Sequence, residues 1–162
     1  YHPDCGKWFD HHLLTDSNEK PPADFQGRYG LAPSAAHLVY EYYVDRNPAI
    51  RRFDTLLAET DRLDAAQLTR EDVLDPKDYI LLGLTLDPRT GLGAFQPYFV
   101  ALVDWLKRMT IREVLGQPEV RERVSRMREQ DQRFRELTRA HSRQDGNVLF
   151  TDFRNVCLFK VW

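Results

Sequence analysis

Lys7-Trp8-Phe9-Asp10-His11-His12 is the stretch that decides how this chain reads. A short apolar pair ends in three side chains that can all bind a metal. Lys7-Trp8-Phe9 reads as the last residues of a buried strand. Successive strand residues point to opposite faces, so Asp10, His11 and His12 cannot converge from a regular strand. Just past a strand end they can, because a loop frees the dihedrals. The carboxyl ends of parallel strands are the usual site position in open α/β sheets. Imidazole beside carboxylate favours a transition ion such as Mn²⁺, or Co²⁺, over Mg²⁺. The plainer alternative is a surface Asp followed by two ordinary histidines. A rival metal reading joins His2, Cys5 and His11 or His12 into a zinc site, but the spacing is not a familiar zinc pattern.

Downstream, residues 15–30 are rich in Asp, Asn, Lys, Pro and Gly and read as loop. Pro33-Ser34 then opens a helix over 35–44, with Ser34 as N-cap. Its apolar residues Ala35, Leu38, Val39, Tyr42 and Tyr43 recur at helical spacing. Asn47-Pro48 breaks it. A second helical stretch over 49–57 runs into Glu59-Thr60-Asp61-Arg62-Leu63-Asp64. An acidic residue there could close a site begun by the histidines. Asp61 and Asp64 share a face if the segment is helical, so either could point inward. The other reading is a surface cluster of alternating charge.

Asp75-Pro76 starts a helix expected to reach residue 86. Residues 87–93 form a turn-rich loop in which Arg89 could reach a phosphate with its planar fork. Arg28, between two glycines, has the same standing. In both cases an exposed arginine on a turn is the alternative. Residues 95–109 read as a buried aromatic-rich helix. From 118 to about 142 the chain is highly charged, with a thin apolar stripe of Val120, Val124, Met127, Phe134 and Leu137. Residues 147–151 and 156–162 read as strands. A helical middle between strand fragments is what a piece of an α/β protein looks like.

Composition sets limits. The 162 residues can bury a real core, and 42% hydrophobic with 12% aromatic residues fits a folded protein. A net charge of −2 gives no basic surface for extended nucleic acid, though it permits a small nucleotide held by a metal. Two distant cysteines make no disulfide framework, so a reducing, cytoplasmic setting is expected. No apolar run approaches the roughly 18 residues that cross a bilayer.

Taken together, these residues resemble the DHH phosphoesterase superfamily, and most nearly its bacterial exopolyphosphatase-related members. The resemblance rests on Trp8-Phe9-Asp10-His11-His12, then Pro33-Ser34 opening a helix, then Thr60-Asp61 ending an apolar helix. It implies an α/β fold: a helix-rich fragment of a parallel-sheet domain with a long connector helix. Residues 1–115 would be the carboxyl-side part of that domain, 116–145 the connector, and 146–162 the start of a substrate domain. It implies His11 as a metal ligand and Asp61 as a second ligand. Asp10 would orient the histidines or ligate, and His12 would contact metal or phosphate. The sequence departs from the family pattern at Arg62 and Asp64. The family's further acidic motifs and its Gly-Gly-His motif are not found here, so the chain resembles an internal fragment.

The expected chemistry is hydrolysis of a phosphoanhydride or phosphodiester by metal-activated water, on polyphosphate, pyrophosphate or short nucleotides. The isolated chain is expected to be inactive or nearly so. A reading of another class makes the chain a non-catalytic helical module, with the helix after Pro118 docking a partner or pairing with a second copy as a homodimer.

Overall fold

The computed structural model describes residues 4–12, 24–86 and 95–158, with the side chains of Phe95 and Gln96 outside the description. Two compact units divide inside one helix, between Ile80 and Leu81.

In the first unit, β1 (Trp8–Asp10) pairs in parallel with β2 (Gly27–Tyr29). This corrects the reading of residues 15–30 as uninterrupted loop. Composition hid the strand, because β2 is short and carries a glycine for a structural reason. Gly27 lies directly opposite Trp8 at φ +127°. A Cβ there would sit 1.9 Å from the Trp8 carbonyl oxygen. Only glycine permits both that dihedral and that approach. The pairing is reinforced two residues either side of Gly27. Trp8 stacks on Tyr29 with centroids 5.4 Å apart, and Phe25 meets the Trp8 ring edge at 5.6 Å.

Helix α1 (Ala35–Tyr43) begins as the sequence implies. Ser34 is extended and its hydroxyl accepts the His37 N–H. The expected second helix is two pieces. Pro48–Phe53 is 3₁₀, and α2 (Asp54–Asp64) follows it. Phe9 packs edge-on against Tyr42 at 5.3 Å, which fixes α1 on β1. A short helix that hydropathy did not suggest, α3 (Arg70–Leu74), is set by a capping box. Thr69 accepts from the Asp72 N–H while Asp72 accepts from the Thr69 N–H. Arg62, at the position where the sequence departs from the family, bridges α2 to α3 through Glu59 and Asp72. Helix α4 (Asp78–Leu84) starts three residues after Asp75, later than Asp75-Pro76 suggested.

The second unit has a drier core. Leu82, Tyr98, Leu102, Val114 and Val120 are all buried and packed together. They come from α4, α5 (Phe95–Arg108), α6 (Ile111–Leu115) and α7 (Pro118–His141). Helix α6 is again declared by a capping box, Thr110 with Glu113. The long helix α7 buries Val120, Arg123 and Gln130. Arg123 lies on the face that the apolar stripe marked. Its guanidinium stacks over the Tyr98 ring at 3.8 Å and donates to the Thr85 carbonyl. The Thr85 and Tyr98 hydroxyls share a further bond of 2.9 Å. This buried cation is tolerated because an aromatic face and backbone oxygen replace its water.

Beyond α7 the chain forms an antiparallel hairpin, β3 (Ser142–Asp145) with β4 (Val148–Thr151). Gly146 supplies φ +56° at the first position of the two-residue turn. Residues 142–145 were expected as the end of the connector helix, so the first strand of the hairpin was missed. Residues 156–158 are not strand, against expectation, and 159–162 lie outside the described residues.

Candidate phosphoesterase site

The end of β1 delivers Asp10, His11 and His12 one after another, and the site is built from where each turns. Asp10 is the last strand residue, and its carbonyl accepts from the Gly30 N–H at 3.3 Å. Its carboxylate folds forward onto His12. One oxygen takes both the His12 backbone N–H at 3.0 Å and the His12 Nδ1 at 2.7 Å. Burial pushes the Asp10 carboxyl up, but those bonds and the two neighbouring imidazoles outweigh it, so its pKa lies below its ordinary value. Tyr29 holds the loop from β2, donating to the His12 carbonyl at 3.0 Å.

His11 turns the other way. Its Nδ1 lies 3.1 Å from the Ala32 carbonyl, and since a carbonyl only accepts, Nδ1 carries the proton. Its Nε2 faces Asp64 Oδ2 at 3.3 Å, an ion pair when the ring is protonated. A metal-ligating histidine is commonly held by a backbone carbonyl at one ring nitrogen, so His11 could serve as a ligand through Nε2 beside Asp64. The two imidazoles lie edge to face with centroids 4.4 Å apart.

Helix α2 supplies both candidate carboxylates, three residues apart on one face. They do different things. Asp64 is half exposed and faces His11. Asp61 is more buried and is bound on both oxygens. The Ser34 hydroxyl donates to Oδ1 at 2.5 Å, and His37 Nδ1 meets Oδ2 at 2.7 Å. The same Ser34 that caps α1 therefore ties α1 to α2.

His37 is the residue that the sequence reading missed. It lies three residues past the N-cap and one turn before Glu41. Its Nε2 stands 3.7 Å from Glu41, and Glu41 accepts from Arg28 at 2.6 Å. The spacing Ser34-x-x-His37 was the available signal, since the first turn of a helix collects groups that face whatever the cap faces. Arg28 is thus engaged with Glu41. Arg89 lies outside the described residues, as does His2 of the zinc alternative.

The donor chemistry, imidazole with carboxylate, fits a manganese-type ion. The described donors meet in twos: His11 with Asp64, and His12 with Asp10. Among the described residues, no group of three or more His, Cys, Asp or Glu side chains converges to hold an ion. No helix among them is long and apolar enough to cross a membrane.

With this geometry in place, comparison with known proteins is informative in one direction. No protein-family model matches the chain, and no curated protein does. Among solved structures, the chain is similar to a pGpG-specific phosphodiesterase, PggH, from Vibrio cholerae. The TM-score is 0.72 at 30% identity, over 94% of this chain and 50% of that one. The chain therefore spans about half the length of the structure it matches. At that TM-score the chain shares the fold of the matched half of that phosphodiesterase.

Proposed function

We propose that this chain carries part of the catalytic centre of a metal-dependent phosphoesterase of the DHH class, acting on a short nucleotide. The observation that carries the proposal is the placement of Asp10, His11 and His12 at the end of β1, with His11 facing Asp64 of α2. The likeness to a phosphodiesterase over nearly the whole chain supports it. The substrate for which that neighbour is named, pGpG, favours a short nucleotide over the polyphosphate or pyrophosphate that an exopolyphosphatase relative would take.

His11 Nε2 and the α2 carboxylates would hold a divalent ion, Mn²⁺ in the first instance, with Mg²⁺ or Co²⁺ able to replace it. A bound ion of this kind supplies an activated water near neutral pH. The chain's own contributions are positional. Ala32 fixes the His11 tautomer. His12, turned toward solvent and paired with Asp10, is placed to meet a phosphate oxygen. Asp10 steadies that imidazole through its Nδ1. Arg28 would reach phosphate only by releasing Glu41.

Calorimetric titration of pGpG into the chain with Mn²⁺ present tests the reading, with inorganic polyphosphate as the comparison. Binding of the dinucleotide that disappears in His11→Ala is expected. Preference for polyphosphate would overturn the nucleotide reading. Because the described donors meet only in pairs, Mn²⁺-dependent hydrolysis by this chain alone should be near zero. Robust turnover lost in His11→Ala would show that the described donors suffice.

The helical-module alternative drew on the α7 stripe. The first half of that face is packed against α5 and α6 of its own unit, so nothing observed favours it.

A further inference from the structure

We propose that His37 is a positioning residue for Asp61, an inference that rests on the phosphoesterase reading of the same site. A carboxylate accepts only, with about four lone-pair directions over its two oxygens. In Asp61, one direction on Oδ1 is taken by Ser34 Oγ at 2.5 Å, and one on Oδ2 by His37 Nδ1 at 2.7 Å. One direction per oxygen is left, and the two clamps fix the plane in which both point.

Ser34 alone would leave that plane free to turn about the Oδ1 contact. His37 removes this freedom. The contact with a carboxylate requires Nδ1 to carry the proton, so the His37 tautomer is set. The ring is itself held from behind. Its Nε2 edge faces Glu41, and Glu41 is tied to Arg28. Its backbone N–H is bound to Ser34 Oγ at 3.0 Å. Arg28, Glu41, His37, Asp61 and Ser34 thus form one chain of contacts running from β2 through α1 to α2. It ends on the carboxylate one turn from Asp64, which faces His11. A tie that only joined α1 to α2 would not need both oxygens of Asp61 fixed. A ligand carboxylate would, because outer partners of this kind orient ligands.

The test uses three substitutions whose geometry differs. The Asn amide nitrogen falls near the place of Nδ1, and the Gln nitrogen falls near the place of Nε2. Mn²⁺ affinity, read from the free-ion electron paramagnetic resonance signal, should fall about tenfold or more in His37→Ala and His37→Gln. His37→Asn should keep most of the affinity. Melting temperatures recorded alongside separate this from a structural role, which would move stability and leave affinity alone. Unchanged affinity in Ala and Gln, or an Asn variant as weak as Ala, overturns the proposal.

If the unaltered chain takes up no Mn²⁺, the metal reading of the site fails, and His37 is then judged from its tautomer by ¹⁵N nuclear magnetic resonance. An Nδ1-protonated ring that loses this preference in Asp61→Ala upholds the positioning contact. An Nε2-protonated ring, or one indifferent to Asp61→Ala, overturns it.

Discussion

The two units of this chain hold themselves together by opposite means. In the second, five apolar residues close around one another, and Arg123, the single buried cation among the described residues, is wrapped by Tyr98 and a carbonyl. In the first, Leu38 and Ile80 are the buried hydrophobic residues among those described. Its α1–α2 junction is instead a polar relay through Ser34, Asp61 and His37. Apolar burial is non-directional and tolerates approximate fit, whereas hydrogen-bonded groups must meet at set angles. A junction built from polar groups therefore gives up tolerance and gains fixed orientation. That trade suits the unit that carries the candidate chemistry.

The contrast can be broken at several points. Tyr98→Ala should be the most damaging. It empties the core of the second unit and leaves Arg123 without its aromatic cover, at about 3–5 kcal/mol in denaturant unfolding. Hydrogen exchange should show the loss in α5, α6 and α7. Gly27→Ala comes next, at about 2–3 kcal/mol, because it forces a Cβ into the Trp8 carbonyl and strains a positive φ. The signature is loss of exchange protection in β1 and β2.

Ser34→Ala should cost about 1–2 kcal/mol, read from the thermal midpoint, since the hydroxyl both caps α1 and binds Asp61. If Ser34→Ala proves as costly as Tyr98→Ala, the polar junction is more than an orienting device and the comparison must be redrawn.

The smallest effect sharpens the capping boxes. Hydrogen bonds from the Thr110 backbone and hydroxyl hold the Glu113 carboxyl below its ordinary pKa. A depressed carboxyl contributes stability above its unfolded pKa and loses it as pH falls through the folded one. Glu113→Ala should therefore lower the melting temperature at pH 7, by a margin that shrinks as pH falls below the ordinary carboxylate range. A difference that persists undiminished in acid would mean that Glu113 acts through something other than its charge.

What the sequence disclosed follows the same division. Elements marked by local chemistry were legible: the strand end before Asp10, the cap at Ser34, the break at Asn47-Pro48 and the start of α7 at Pro118. Capping boxes at Thr69 and Thr110 were equally local signals, hidden because the helices they open carry too few apolar residues to show a period. Strand β2 was not legible. Three residues, one of them a glycine required by its neighbour's carbonyl, carry no alternation, and the reason for the glycine lies nineteen positions upstream. Arg123 was obscured because a charged residue on an apolar stripe reads as solvent-facing until its aromatic partner is known.

In the site, Asp10, His11 and His12 were legible as a motif, and Asp61 and Asp64 as alternatives. The structure gives those two carboxylates separate partners. Asp64 faces His11, while Asp61 is clamped by Ser34 and His37. That division depends on which way α2 is turned, and no spacing along the chain could reveal it.

The central claim is that His11, through the Nε2 that faces Asp64, holds a divalent cation, and Mn²⁺ titration of the full chain tests it most directly. The unaltered chain is set beside His11→Ala, with free ion followed by electron paramagnetic resonance. Saturable binding that weakens about tenfold or more on His11→Ala is the result expected. Equal binding by the two chains, or no saturable binding by the unaltered one, would contradict the account.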